Sequence, residues 1–233
     1  MNSPQAGPPG AFPPTPPASG FAARLRAATR AAHADAEGAG FVDDLLAGRL
    51  ARGAHVALLA QNHLVYAVLE DAWAAHRDDP VVAPLLDDAL RRLPSLEADL
   101  RSLAGPGWRA LLQPSPATRR YVERLRAVAF DWPGGFVAHH YLRYLGDLSG
   151  GQVIRRLLER AYGASGEGLR SYDFPGVAPK PYRDRYRRLL DAAPWSPAEQ
   201  ELVIAEVAGG YRLNREVFDD LGARSPAWRR PGA

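Results

Sequence analysis

The sequence predicts an all-α chain with a single main domain, on three observations. Apolar residues recur at three- and four-residue steps through most of the chain. Strand signals are weak: there are two isoleucines, no Asn-Gly or Asp-Gly turn and no sustained period-two run. Helix-start signals, Ser115-Pro116 and the capping box Ser196-Pro197-Ala198-Glu199, stand just ahead of two apolar stripes.

Residues 1–20 hold seven prolines and no charged side chain, so they are expected to form a disordered or polyproline-II tail. A first helix is predicted over 22–37, with Ser19 as its candidate cap. A second runs over 53–78 and stops before Pro80. Over 84–103, Leu85, Leu86, Ala89, Leu93, Leu96, Leu100 and Leu103 make one stripe that Pro94 should kink or split. Ser115-Pro116 opens a helix carrying Tyr121, Leu125 and Val128. The Ser196 helix has an inner stripe of Val203, Val207, Gly210, Tyr211, Asn214, Phe218 and Leu221. The helical domain is thus expected over 21–222, and 223–233 is expected to be a frayed tail.

Composition narrows the chemistry. The chain has 233 residues, 46% hydrophobic and 24% charged, enough for one sizeable core. It has no cysteine, which removes disulfides, zinc–thiolate sites, iron–sulfur clusters and thiol nucleophiles. No apolar run is long enough to span a bilayer and no signal-peptide pattern leads the chain, so no membrane anchor and a cytoplasmic location are expected. The net charge of +3 does not call for nucleic acid. Lys180 is the single lysine among 29 basic residues, so any bound anion is held by guanidinium forks. No Glu-x-x-His pair, His-Glu-x-x-His motif, P-loop, dinucleotide fingerprint or Gly-x-Ser-x-Gly elbow is present.

Three constellations stand out. In HHYLRYLGDLSGGQVIRRLL (139–158), glycines interrupt strongly helical flanks. Gly146 and Gly150 are four apart and share a face bare of side chains, either for close helix packing or for a ligand. Asp147 lies beside that strip, and Arg143, four residues earlier, is within reach of it on a regular helix. In the first helix His33 has Glu37 one turn on and Arg26 seven residues back, a metal-ligand arrangement or an ordinary exposed pair. Arg183 and Arg187, one turn apart, form an anion clamp or a solvated basic face.

These pieces together resemble the heme oxygenase family, in its soluble bacterial form. TRAAHADAE (29–37) is similar to the family's proximal-helix segment and YLRYLGDLSGGQV (141–153) to its distal-helix signature. YDFPGVAPKPYRDRYRRLLD (172–191) and YRLNREVFDDL (211–221) resemble its later segments, so the likeness spans roughly 21–222. The resemblance implies heme sandwiched between a proximal and a kinked distal helix. It implies oxidative ring opening by dioxygen to biliverdin, of the α isomer, with release of iron and carbon monoxide. Heme is then both cofactor and substrate.

On this resemblance His33 is the iron ligand, supported by Glu37. Gly146, Gly150 and the adjacent Gly151 let the distal backbone approach the macrocycle. Asp147 organises a water network that delivers protons, with Arg143 beside it. Arg26, Tyr141, Arg183 and Arg187 fall where propionates are held, and Tyr66, Tyr186, Tyr211, Asn214 and Phe218 are pocket or network positions. The sequence carries no flavin or nicotinamide motif, so electrons are expected from a separate donor, ferredoxin with its reductase or an NAD(P)H-dependent flavoprotein. Positions 26 and 183 carry arginine where many relatives have lysine. The alternative is a heme carrier with the same pocket and no ring chemistry.

Overall fold

The computed structural model describes residues 20–163 and 166–231. The expectations for the proline-rich tail and for Ser19 lie outside these residues. Among them there are nine α-helices and no β-strand: α1 (Phe21–Glu37), α2 (Gly40–Leu46), α3 (Arg52–Ala75), α4 (Leu93–Ala104), α5 (Pro116–Val128), α6 (Pro133–His140), α7 (Gly146–Tyr162), α8 (Pro179–Ala192) and α9 (Pro197–Ala223). No helix among them is long and apolar enough to cross a membrane.

The longest helix, α9, is the spine. Val203, Val207, Tyr211 and Leu221 of its predicted stripe are buried, and α1, α2, α5 and α6 pack around it. On the other side α3 packs on α4 and α5, closing one core through Leu59, Leu69, Tyr121, Leu125 and Tyr144. The two serine caps form as read: Ser115 Oγ accepts from the Thr118 N–H at 3.2 Å and Ser196 Oγ from the Glu199 N–H at 3.1 Å. The reciprocal arm of the second box is diverted, because Glu199 takes the Trp132 indole N–H at 2.5 Å instead. At the start of α1 the capping acceptor is long-range: Asp191 Oδ1 takes the Ala22 N–H at 2.8 Å. A Cβ on Gly20 would lie 2.5 Å from that oxygen, and Gly20 has φ +145°, so glycine is needed there.

The predicted 84–103 helix is replaced by two short 3-10 turns, Ala83–Leu85 and Asp88–Leu90, followed by α4. Pro94 sits in the first turn of α4, where a missing N–H costs nothing. The buried Glu70 carboxylate caps that start, accepting the Leu93 N–H at 3.2 Å and the Arg92 N–H at 2.5 Å. Arg92 is itself buried and satisfied by backbone oxygens, at 2.6 Å from both Leu90 O and Asp173 O, with its guanidinium 3.7 Å from the centre of the Phe174 ring. Asp99 accepts the Arg170 and Ser171 N–H groups at 2.9 and 2.8 Å. These anchors hold the loop before α8 against α4.

Between α6 and α7 the chain makes a π-helical turn, Tyr141–Leu145. Such a turn inserts one residue into the helical register and is frequent at functional sites. The end of the chain also differs from the frayed tail expected. Ser225–Trp228 form a 3-10 turn, Arg229 bridges to Leu50, and Arg230 donates to the Ala161 carbonyl at 3.2 Å. The Trp228 ring lies 6.4 Å from that of Phe41. Partners this far away in the chain, 69 residues for Arg230 and Ala161 and more for the other two pairs, leave no local signal.

Candidate functional site

Helix α1 lies along α9 and against α8, whereas α7 leans on the π turn, α2 and the Tyr172 loop; α1 and α7 are not extensively packed on each other, and the space between them is the candidate cleft. Part of the sequence-predicted set comes together there: His33 meets Tyr211, Tyr141 lies near the Arg26 and Arg187 charges, and Arg183 meets Ser149. His33 stands on α1 with Nδ1 3.3 Å from Glu37 Oε2 and its ring edge-on to buried Tyr211, centroids 5.1 Å apart. Its side chain is 42% exposed, and no hydrogen bond from Nε2 is recorded among the described residues. Of the other five, His55 meets the Tyr172 hydroxyl, His76 the Ala129 carbonyl, His139 Glu206 and His140 the Tyr186 hydroxyl, and His63 lies 3.5 Å from Glu97. Nearby, Arg215 of α9 donates to the Asp35 carbonyl at 2.7 Å and pins the end of α1.

On α7 the three glycines divide into two kinds. A Cβ on Gly146 would meet nothing within 4 Å, and one on Gly150 only Ile154 Cδ1 at 3.8 Å. Their shared face is open. Gly151 points the other way: its Cβ would be 2.9 Å from the Tyr172 carbonyl oxygen, so it serves close packing on the anchored loop and is not brought to the open face.

Asp147 receives the Tyr66 hydroxyl in a short hydrogen bond. Burial pushes its carboxyl up, against the pull of Arg143 and the Tyr66 hydrogen bond. Burial and the neighbouring Asp147 charge also push Tyr66 up, so it stays a hydroxyl donor. The direct Arg143–Asp147 pairing expected from their spacing does not form. The π turn breaks the four-residue register between them, and Arg143 turns instead to Asn214 Oδ1 at 2.7 Å and Asn62 Oδ1 at 2.9 Å, over the Tyr66 ring. Asn62 was not singled out from sequence. An asparagine on a buried helix face opposite an arginine is its only signal, and that pairing is visible only in three dimensions.

The anion-binding candidates gather at the cleft mouth. Tyr141 is half-buried in the π turn, and burial raises its hydroxyl against the opposing charges of Arg187 and Arg26. Arg183 reaches from α8 to Ser149 Oγ at 2.8 Å, next to the bare strip. Arg187 pairs with Asp184 at 3.0 Å in solvent, a contact it can release at little cost. Arg26 is exposed. Tyr186 is buried under His140, 3.0 Å from it, and is structural. Phe218 is partly buried on the far half of α9.

These residues fit a flat, dianionic iron macrocycle. One helix offers an imidazole nitrogen, the opposite one a strip without side chains, and the mouth offers guanidinium groups. Among the described residues no three His, Asp or Glu side chains gather into a metal site.

The comparisons point the same way. The family model described as Heme oxygenase matches residues 19–220. The heme oxygenase of Rhodella violacea is 34% identical over 205 residues, covering 87% of each chain. Heme oxygenase 1 of Homo sapiens is 35% identical over 201 residues, 84% of this chain and 70% of that one. The crystal structure of heme oxygenase-1 from Synechocystis in complex with heme superposes with a TM-score of 0.85 at 31% identity, covering 90% of this chain and 95% of that one. With the match running through both faces of the cleft, the chain belongs to the heme oxygenase family.

Proposed function

We propose that this chain binds heme between α1 and α7 and cleaves it oxidatively to biliverdin, iron and carbon monoxide, using dioxygen and electrons from a separate ferredoxin or flavoprotein reductase in the cytoplasm. The observation that carries the reading is the open, side-chain-free face of Gly146 and Gly150, with a half-buried Asp147 beside it, in a chain whose one well-exposed histidine is His33. Bound heme supplies the iron at which dioxygen is activated and the ring that is opened.

The chain's own residues hold and direct that chemistry. His33 Nε2 is the nitrogen for the iron, and Glu37 at Nδ1 fixes the ring's tautomer and orientation. Arg26, Tyr141, Arg183 and Arg187 take the two propionates, which sets the rotation of the macrocycle and selects the α edge. Gly146 and Gly150 leave room above the iron and put no donor side chain there. Asp147, with Tyr66 donating to one oxygen, keeps the other for ordered water and passes protons toward the distal face. Arg143, tied to Asn62 and Asn214, holds positive charge beside it.

The test is a single-turnover optical experiment with stoichiometric hemin and a verified reductant in air. Bleaching of the Soret band with biliverdin appearing is the expected result. A stable heme spectrum under those conditions would mark a carrier and overturn the reading.

A further inference from the structure

Tyr186 fills the core beneath His140, and the contact between them is more than packing. The Tyr186 hydroxyl stands 3.0 Å from His140 Nδ1, both side chains are buried, and the two rings are nearly parallel, 6° apart. His140 Nε2 is buried as well and has no partner among the described residues. With the ring hydrogen on Nε2, the hydroxyl donates to the Nδ1 lone pair. The other tautomer leaves both the hydroxyl hydrogen and the Nε2 lone pair unused, so the first holds. Burial lowers His140 to about 3, so the imidazole is neutral. Tyr186 is thus a phenol with a base already at its oxygen.

The pair is joined to the cleft by aromatic rings. Tyr186 sits on α8 between Arg183 and Arg187, and its ring centroid is 6.3 Å from that of Tyr141 in the π turn. On the inner side, His140 packs on Tyr144 at 4.5 Å, Phe136 at 5.5 Å and Trp73 at 5.9 Å, all buried. Positive charge near a ring opposes the loss of an electron from it. Arg187 and Arg26 act on Tyr141, and the Arg143 guanidinium lies 4.7 Å from the centre of the Tyr66 ring. The groups that act on Tyr186 are Tyr182 and Tyr141, both uncharged phenols. Tyr144 has its acceptor, Glu70, at 3.4 Å, farther than the 3.0 Å of the Tyr186 contact.

We propose that Tyr186 and His140 form a redox-active pair that takes up an oxidising equivalent when the bound heme reacts with hydrogen peroxide in place of dioxygen and reductant. Peroxide takes two electrons from the heme group, giving one water and one oxygen atom still held there. Tyr186 returns one electron by way of Tyr141, and its hydroxyl proton passes to His140 Nδ1. A neutral tyrosyl radical then stands beside an imidazolium. An electron from the separate reductase reduces the radical, and the proton goes back from Nδ1. Burial of the imidazolium favours that return. A second electron, with two protons from solvent, restores the ferric heme and releases the second water. The oxidising equivalent is held meanwhile away from the cleft side chains. The inference rests on the reading that heme binds in the cleft beside Tyr141.

Rapid-freeze EPR of the hemin-loaded protein mixed with hydrogen peroxide tests the pair, with variants compared at equal bound hemin. The wild type should show an organic radical whose hyperfine splitting collapses with ring-deuterated tyrosine. Proton ENDOR should find an exchangeable proton hydrogen-bonded to the radical oxygen. Tyr186→Phe keeps the ring and loses only the hydroxyl. It should lose the signal, and peptide mapping should find new oxidation at Tyr141. Tyr66→Phe and Tyr144→Phe should keep the signal. A signal that survives in Tyr186→Phe, one that vanishes in Tyr66→Phe or Tyr144→Phe, a radical oxygen without an exchangeable proton, an oxidation map unchanged by Tyr186→Phe, or bound hemin with no tyrosyl radical each overturns the proposal and leaves the cleft reading standing. A chain that develops no Soret band with hemin overturns the cleft reading, and this one with it.

Discussion

His33 is set apart by what surrounds the other histidines. Those five rings are buried or nearly so, whereas the His33 side chain is 42% exposed. His33→Ala should abolish the imidazole-ligated spectrum of the ferric heme complex, and millimolar imidazole should restore it. Glu37→Gln should weaken heme binding by about tenfold, since it disturbs only the ligand's orientation, which a hemin titration would read. The one-turn spacing of His33 and Glu37 was legible in the sequence. That the remaining histidines are enclosed was not, because the residues around them lie as far as 117 residues away in the chain, as for His55 and Tyr172.

At the scale of the element, α7 carries a conflict between stability and use. Gly146 has open space around its missing side chain, so Gly146→Ala should stabilise the heme-free chain by about 0.5–1 kcal/mol through helix propensity. It should also slow turnover, because the methyl group projects into the heme face; paired denaturation and turnover measurements would show the opposing signs. Gly151→Ala should instead destabilise by about 1–3 kcal/mol, the methyl meeting the Tyr172 carbonyl oxygen. The glycines announced themselves by violating helix propensity. Which of them faced the cleft did not follow from spacing alone, and YLRYL has no compositional mark of a π turn. The same turn explains why Arg143 and Asp147 are neighbours without being a pair. The 84–103 stripe splits at Pro94 as its proline implied; that its first half forms two 3-10 turns was not legible, because Glu70, from another helix, caps the start of α4. At the chain's end, Trp228→Ala should lower stability by about 1–2 kcal/mol in a thermal melt, as the contact with Phe41 and Gly53 is lost.

For the whole molecule, buried neutral histidines set the response to acid. Burial, with Arg52 adding to it, lowers His55 to about 4, and burial lowers His140 to about 3, against an ordinary 6.5. The unfolded chain takes up protons in that window that the folded rings refuse, so stability is full above 6.5 and falls as pH drops toward 4. Each ring should cost about 2 kcal/mol by pH 5. Glu70, Asp99 and Asp147, raised by burial, act in the opposite sense and offset part of this. A urea midpoint that falls between pH 7 and pH 5 is the expected outcome. The π turn has a consequence for the molecule's history and for its engineering. Tyr141–Leu145 holds one residue more than an α-helix needs. Deleting a single codon there would let the helix run on in ordinary register and rotate everything beyond it by about 100°, swinging Gly146 and Gly150 off the cleft. Selection for heat resistance alone would favour that shorter, smoother helix. The surplus residue survives only while the activity is selected with it, so a library screened for folding and not for turnover should accumulate single-residue deletions at this turn.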